Sequence, residues 1–184
     1  MFEKLIIQNF RSHEKTEICL QSGLNVFLGE VGAGKTSILE ALSFSLFGKP
    51  STSLTKTELI KRGSKQAELS LVFIVGLEKY KIERSIFLKK PQKAKLWIYK
   101  NNNWKLAVDG SNAVSRSIEK IFGVDSATFL TAMYASQGKI KEMLQTQPGK
   151  RREQFDKLLG IDYYEKLWHT MGQSKNLVEG ELIE

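Results

Sequence analysis

At 184 residues, 41% hydrophobic and 26% charged, the chain has the size and composition of one globular domain, which excludes two full domains and a disordered tail. A single cysteine, Cys19, excludes a disulfide framework and a multi-cysteine zinc site within it, and the longest apolar run, Leu71 to Val75, is far short of the ~20 residues of a membrane span. The net charge of +8 is uneven: residues 49–110 hold 14 basic and 5 acidic side chains, against 4 and 5 in residues 1–48 and 10 of each in residues 111–184.

In chain order, Phe2 to Gln8 and Glu14 to Leu20 read as short strands, and Ser22-Gly23 turns into an apolar run, Leu24 to Leu28, that reads as a third. Residues 35–47 contain neither glycine nor proline, and Ile38, Leu39, Ala41, Leu42 and Leu46 give them a broad apolar helical face. Gly48 and Pro50 end that helix. Residues 51–64 form a Ser/Thr/Lys-rich connection. Strand signals resume at Glu68 to Val75, Tyr80 to Leu88, Leu96 to Tyr99 and Trp104 to Val108, an antiparallel meander coincident with the basic block. From Ser111 the spacing is helical, over Ser111 to Phe122, Ser126 to Met133 and most of the chain after Lys139. The opening MFEKLIIQNF has no apolar signal core, so an intracellular location is expected, in the cytoplasm or nucleoid of a prokaryote or the nucleus of a eukaryote.

Gly29-Glu30-Val31-Gly32-Ala33-Gly34-Lys35-Thr36 fits G-x-x-x-x-G-K-[ST] between an apolar run and a helix. Glycines at this spacing let successive backbone N–H groups turn inward around phosphates, and the helix N-terminus adds partial positive charge. Lys35 would meet the β- and γ-phosphate oxygens, and the Thr36 hydroxyl suits Mg²⁺. A glycine-rich turn before a helix is the bland alternative, and the pattern together with its context disfavours it. Hydrolysis also needs a buried acid after an apolar run. Leu106-Ala107-Val108-Asp109 and Leu158-Leu159-Gly160-Ile161-Asp162 only imitate one, so the chain reads as half of an ATPase site.

The order NFRSH (Asn9 to His13), GEVGAGKTSILEALSFSLFG, LIKRG (Leu59 to Gly63) and ASQGKI (Ala135 to Ile140) resembles the N-terminal half of the SbcC/Rad-fifty family of SMC-like double-strand-break repair ATPases. The resemblance implies a mixed α/β fold: lobe I of an ABC-type P-loop head over residues 1–160, with a β-meander and helical tail, then the start of a coiled-coil helix over 161–184. It implies ATP held by Arg11, Val31, Gly32, Ala33, Gly34, Lys35, Thr36, Ser37, Ile60, Lys61, Arg62 and Gln137. Lys35 and Gln137 would be catalytic, and Thr36 and Gln137 would hold Mg²⁺. Zinc would belong only to a hook in the missing coiled coil, and His13 keeps a structural role. The implied partners are the chain's own C-terminal lobe, a second head on ATP binding, an SbcD/Mre-type nuclease and double-stranded DNA, with no membrane. One departure stands out: the loop has Val31 where the family usually has Asn.

The basic meander suggests DNA contacts through Lys89, Lys90, Lys93 and Lys95, extended by Lys79, Lys81 and Lys100, while Trp97 and Tyr99 pack the sheet. A merely solvated basic face explains the same charge. The rival classes are the ATP-binding lobe of a transporter subunit or of another SMC/RecN-like protein, a self-contained P-loop kinase, and a nucleic-acid-binding meander with an idle loop.

Overall fold

Among the described residues the fold is built on one antiparallel sheet of six strands, with buried side chains alternating along its four inner strands. The computed structural model describes residues 1–50 and 54–124, with Ser126, Phe129 and Trp168. The strands are β1 (Phe2–Phe10), β2 (His13–Cys19), β3 (Gln66–Val75), β4 (Glu78–Phe87), β5 (Lys93–Lys100) and β6 (Asn103–Asp109). They lie in the order β2-β1-β3-β4-β5-β6. Only the pairing of β1 with β3 skips part of the chain, and the phosphate-loop region and the first helix occupy that crossover.

Two helices cover one face. Helix α1 spans Lys35–Phe47 and ends on Gly48, whose φ of 66° needs no Cβ and whose N–H bonds to the Phe44 carbonyl. Helix α2 spans Ser111–Phe122 and presents Val114 and Ile118 inward, four residues apart on one stripe. Against them lie Leu5, Ile7, Leu69, Leu71, Phe73, Ile82, Ile86 and Leu96, all at most 2% exposed. Each such side chain contributes about 1.5–3 kcal/mol on burial, so the sheet–helix interface is the main source of stability.

The strands of the sheet and both helices expected up to Phe122 form within two residues of their predicted bounds, except that β5 begins at Lys93, three residues before the expected Leu96. The expected strand at Leu24 to Leu28 does not form. That segment has no strand ladder, and Leu24, Val26 and Leu28 are 90%, 65% and 90% exposed. A strand exists only through a neighbour that takes its N–H and C=O groups, and among the described residues no strand lies beside it. The connection before β3 is more ordered than its composition suggests, because a short 3₁₀ turn covers Lys56–Leu59. The tail helices after Ser126, Gln137 and the coiled-coil start at 161–184 lie outside the described residues, Phe129 and Trp168 excepted.

Candidate nucleotide site

The loop, the N-terminus of α1, the β1–β2 turn and the 3₁₀ segment converge on a cleft of about 540 Å³ lined by Arg11, Ser12, Gly32, Gly34, Lys35, Thr36, Ser37, Glu58, Ile60, Lys61 and Arg62. That volume is in the range of small-molecule sites, roughly 300–1,000 Å³. Gly32 and Gly34 are both left-handed, with φ of 86° and 90°. At Gly34 the requirement is double, because a Cβ there would sit 2.5 Å from Ser12 Oγ and 2.7 Å from His13 Nε2. The Lys35 ammonium curls over the loop and donates to the carbonyls of Gly29 at 2.7 Å and Glu30 at 2.6 Å. Thr36 is exposed on the first turn of α1, and Ser37 beneath it is buried.

The β1–β2 turn is held against this loop. Asn9 and Arg11 both have positive φ, 50° and 54°, a strained state for non-glycine residues. Two backbone bonds offset it: Arg11 N–H donates to the Leu59 carbonyl and Lys61 N–H to the Asn9 carbonyl, each at 2.8 Å. Arg11 Nε lies 3.5 Å from Oε2 of Glu40, a carboxylate on α1 that is only 3% exposed. Arg11 therefore reaches the cleft tied to the loop's own helix. The Lys61 ammonium pairs with Glu14 at 2.7 Å, which holds the Glu14 carboxyl below its ordinary range. Ile60 is buried and bridges to Phe10, while Arg62 is exposed.

Of the nucleotide residues expected from sequence, the structure gathers Arg11, Gly32, Gly34, Lys35, Thr36, Ser37, Ile60, Lys61 and Arg62 around the cleft. Val31 and Ala33 are exposed on the loop and are not among its lining residues. Gln137 lies outside the described residues. Sequence reasoning missed Ser12, Glu40 and Glu58. Glu58 had a readable signal: Thr55-Lys56-Thr57-Glu58 has the spacing of a capping box. Its carboxylate accepts from Thr55 N–H at 2.6 Å and Thr55 Oγ1 at 2.7 Å, bonds that lower its pKa, with Arg11 adding to the effect. Glu40 had none, since its partner Arg11 is far away in sequence.

The candidate acid at Asp109 ends the edge strand β6, exposed and absent from the cleft lining, so it is not a buried site acid. Among the described residues no group of three His, Cys, Asp or Glu side chains is placed to hold a metal ion. No helix among them is long and apolar enough to cross a membrane. The basic patch is smaller than expected. Lys79 pairs with Glu3 at 2.6 Å, Lys81 with Glu83 at 2.9 Å and Lys100 with Glu78 at 3.6 Å. The Lys81 ammonium also lies over the rings of Trp97 and Trp104, at 5.0 and 5.3 Å. Among the described residues Lys89, Lys90, Lys93 and Lys95 make no ion pair; they are exposed on the β4–β5 turn and the start of β5.

A glycine cradle at the N-terminus of a helix that packs on an antiparallel sheet defines the fold class as an ABC-type P-loop ATPase lobe. The recombination mediator protein RecF-ATP has this fold: its structure superposes with a TM-score of 0.51 at 20% identity, over 66% of this chain and 30% of that one. The AAA domain family model matches residues 4–183. The chain belongs to that family, as a Rad50/SbcC-like member. It is 36% identical to the DNA double-strand break repair Rad50 ATPase of Methanocaldococcus jannaschii over 99% of its length, and 31% identical to that of Methanococcus maripaludis over 100%. It spans 18% of the length of each of these relatives.

Proposed function

We propose that this chain is the N-terminal nucleotide-binding lobe of an SMC-like ATPase head that binds ATP·Mg²⁺ and DNA in double-strand-break repair. The observation that carries the reading is the cradle itself: two left-handed glycines, Lys35 and Thr36 at the start of α1, with Arg11 and Lys61 across the cleft. These residues fit a triphosphate. Backbone N–H groups and the helix dipole receive anionic oxygens, and the lysine now bonded to loop carbonyls can exchange them for phosphate. Mg²⁺ would be held by the Thr36 hydroxyl together with Gln137, and it supplies charge neutralisation across the β- and γ-phosphates.

Hydrolysis is assigned to the assembled head. Among the described residues no strand carries a buried acid to the cleft; Glu40, the buried carboxylate near it, lies on α1, pairs with Arg11 and is not among the lining residues. The Leu24 to Leu28 segment also leaves Leu24, Val26 and Leu28 exposed beside an apolar groove lined by Phe27, Ile38, Leu39 and Leu42. Strands and a Walker B acid from the chain's own C-terminal lobe would complete both. A second head closing over ATP, and an SbcD/Mre-type nuclease, complete the proposed assembly. The names of the Rad50 relatives and the span of about a fifth of their length support this division.

The test is reconstitution. The chain alone should bind MgATP and show no steady turnover, and adding the C-terminal half should restore hydrolysis that Lys35→Ala abolishes. Turnover by the purified chain, lost in Lys35→Ala, overturns the half-site reading; failure of the chain to bind MgATP overturns the nucleotide site.

A further inference from the structure

His13 opens β2 directly after the turn that lines the cleft, and both of its ring nitrogens are engaged. Nδ1 lies 2.9 Å from Thr16 Oγ1, and Nε2 lies 3.1 Å from the carbonyl oxygen of Gly34. A carbonyl cannot donate, so Nε2 carries the proton and donates to it. In the neutral imidazole Nδ1 then accepts from the Thr16 hydroxyl, which fixes both the ring's tautomer and its orientation. The residue spans 21 positions of sequence to reach the loop.

The bonded carbonyl belongs to the peptide that joins the phosphate loop to its helix. Gly34 C=O and Lys35 N–H form one planar trans unit and point in opposite directions. The carbonyl already accepts the first helical bond, from Ile38 N–H at 3.2 Å, and the imidazole takes its second lone pair. Pinning the carbonyl at two points pins the Lys35 amide facing the other way, out of the helix N-terminus where an anion is received. The close approach of a Gly34 Cβ to Ser12 Oγ and His13 Nε2 shows independently that the turn presses on this peptide. The turn cannot easily recede, because the Arg11–Leu59 and Lys61–Asn9 backbone bonds anchor it on the opposite side of the cleft.

We propose that His13 is a positioning residue of the nucleotide site: its Nε2–H holds the Gly34–Lys35 peptide so that the Lys35 amide is set for a phosphate before nucleotide arrives. The proposal rests on the reading of the loop as an ATP site. A histidine that merely stabilises the hairpin would affect folding and leave the affinity of the folded protein unchanged.

The experiment compares His13→Phe, which keeps a planar ring and cannot donate, with His13→Gln, whose amide nitrogen can replace Nε2. Measurements are on the 184-residue chain: MgATP affinity well below the melting temperature, thermal stability, and the ¹H–¹⁵N resonance of the Lys35 amide without nucleotide. His13→Phe should raise the MgATP Kd about fivefold, the scale of one net hydrogen bond, and move the Lys35 resonance. His13→Gln should return both most of the way. Thr16→Val, which frees the ring at Nδ1, should move both readouts in the same direction by less, and it carries the test if His13→Phe does not fold. Unchanged affinity and resonance in these variants, while Lys35→Ala still abolishes binding, overturns the role of His13. Equal impairment by Phe and Gln that tracks thermal stability overturns it too. If Lys35→Ala leaves MgATP binding intact, the failure is of the ATP site itself.

Discussion

A guanidinium on the inner face of a sheet has to be answered by acceptors, and Arg84 finds four. It is 2% exposed between Ile82 and Ile86, and it donates to the carbonyls of Ser45 and Leu46 at 2.6 and 2.7 Å and to the hydroxyls of Ser115 and Ser111 at 3.0 and 3.3 Å. Burial lowers its pKa to about 10, so it remains charged at neutral pH. The last carbonyls of α1 have no partner within their helix, and Arg84 supplies one from β4 while tethering α2 to the same point. Arg84→Leu should cost about 3 kcal/mol or more, because buried carbonyls left unbonded lose roughly 1–3 kcal/mol each; urea unfolding measures it. Arg84→Lys should recover little of this, since one ammonium cannot span acceptors on both helices. Val31 is the opposite case. Its side chain is fully exposed, so Val31→Asn should leave unfolding free energy within about 0.5 kcal/mol. The amide that replaces it can bond near the phosphates, and MgATP binding should tighten by about 0.5–1.5 kcal/mol in titration calorimetry. Unchanged affinity would show that the loop has adapted to valine.

At the scale of elements, the parts of the site that rest on local chemistry were legible and those that rest on distant partners were not. Strand alternation puts Arg84 on the face of Ile82 and Ile86, but its acceptors come from the end of α1, 38 and 39 residues earlier, and from α2, 27 and 31 residues later. The loop pattern located Lys35 and Thr36, while the meeting of Arg11 with Glu40 and of His13 with Gly34 depends on how the β1–β2 turn folds back. Leu24 to Leu28 had the composition of a strand and lacks a ladder, because hydrophobicity marks a segment for burial and only a neighbouring strand makes it one. The 3₁₀ segment is a small element with a testable pH signature. Its Glu58 carboxyl is held below the ordinary value by the Thr55 bonds, chiefly that from the backbone N–H. A depressed carboxyl pKa contributes stability above the unfolded value and loses it as pH falls through the folded one. Glu58→Gln should therefore flatten the acid side of the stability profile, read from urea midpoints between about pH 3 and pH 6. The variant should differ little from the parent at the low end, where both side chains are neutral. A constant difference across the range would assign the bonds no charge-dependent part.

Over the whole molecule, charge is what separates a DNA-holding surface from a solvated one. Residues 49–110 carry all of the chain's excess positive charge, yet ion pairing divides their lysines into two sets. Lys79 and Lys100 have carboxylates beside them, whereas Lys89, Lys90 and Lys93 project from the β4–β5 turn and the start of β5 with no ion-pair partner among the described residues. A phosphate that approaches the first set must displace an existing carboxylate; one that approaches the second displaces only water and counterions. Ring stacking contributes little, because the faces of Trp97 and Trp104 are already taken by Lys81. The expected mode is therefore sequence-independent phosphate contact with duplex DNA, steeply weakened by salt. Each contact contributes about −0.9 to the slope of log K against log salt, so alanine at Lys89, Lys90 and Lys93 should flatten it by about 2 to 3. Alanine at Lys79 and Lys100 should change the slope by less than one, since those charges are neutralised in the folded chain. Fluorescence anisotropy with a labelled duplex across a salt series, in the reconstituted head with ATP bound, compares the two sets. Equal slopes for parent and both variants would place the DNA elsewhere on the head and leave the basic meander as a solvated face.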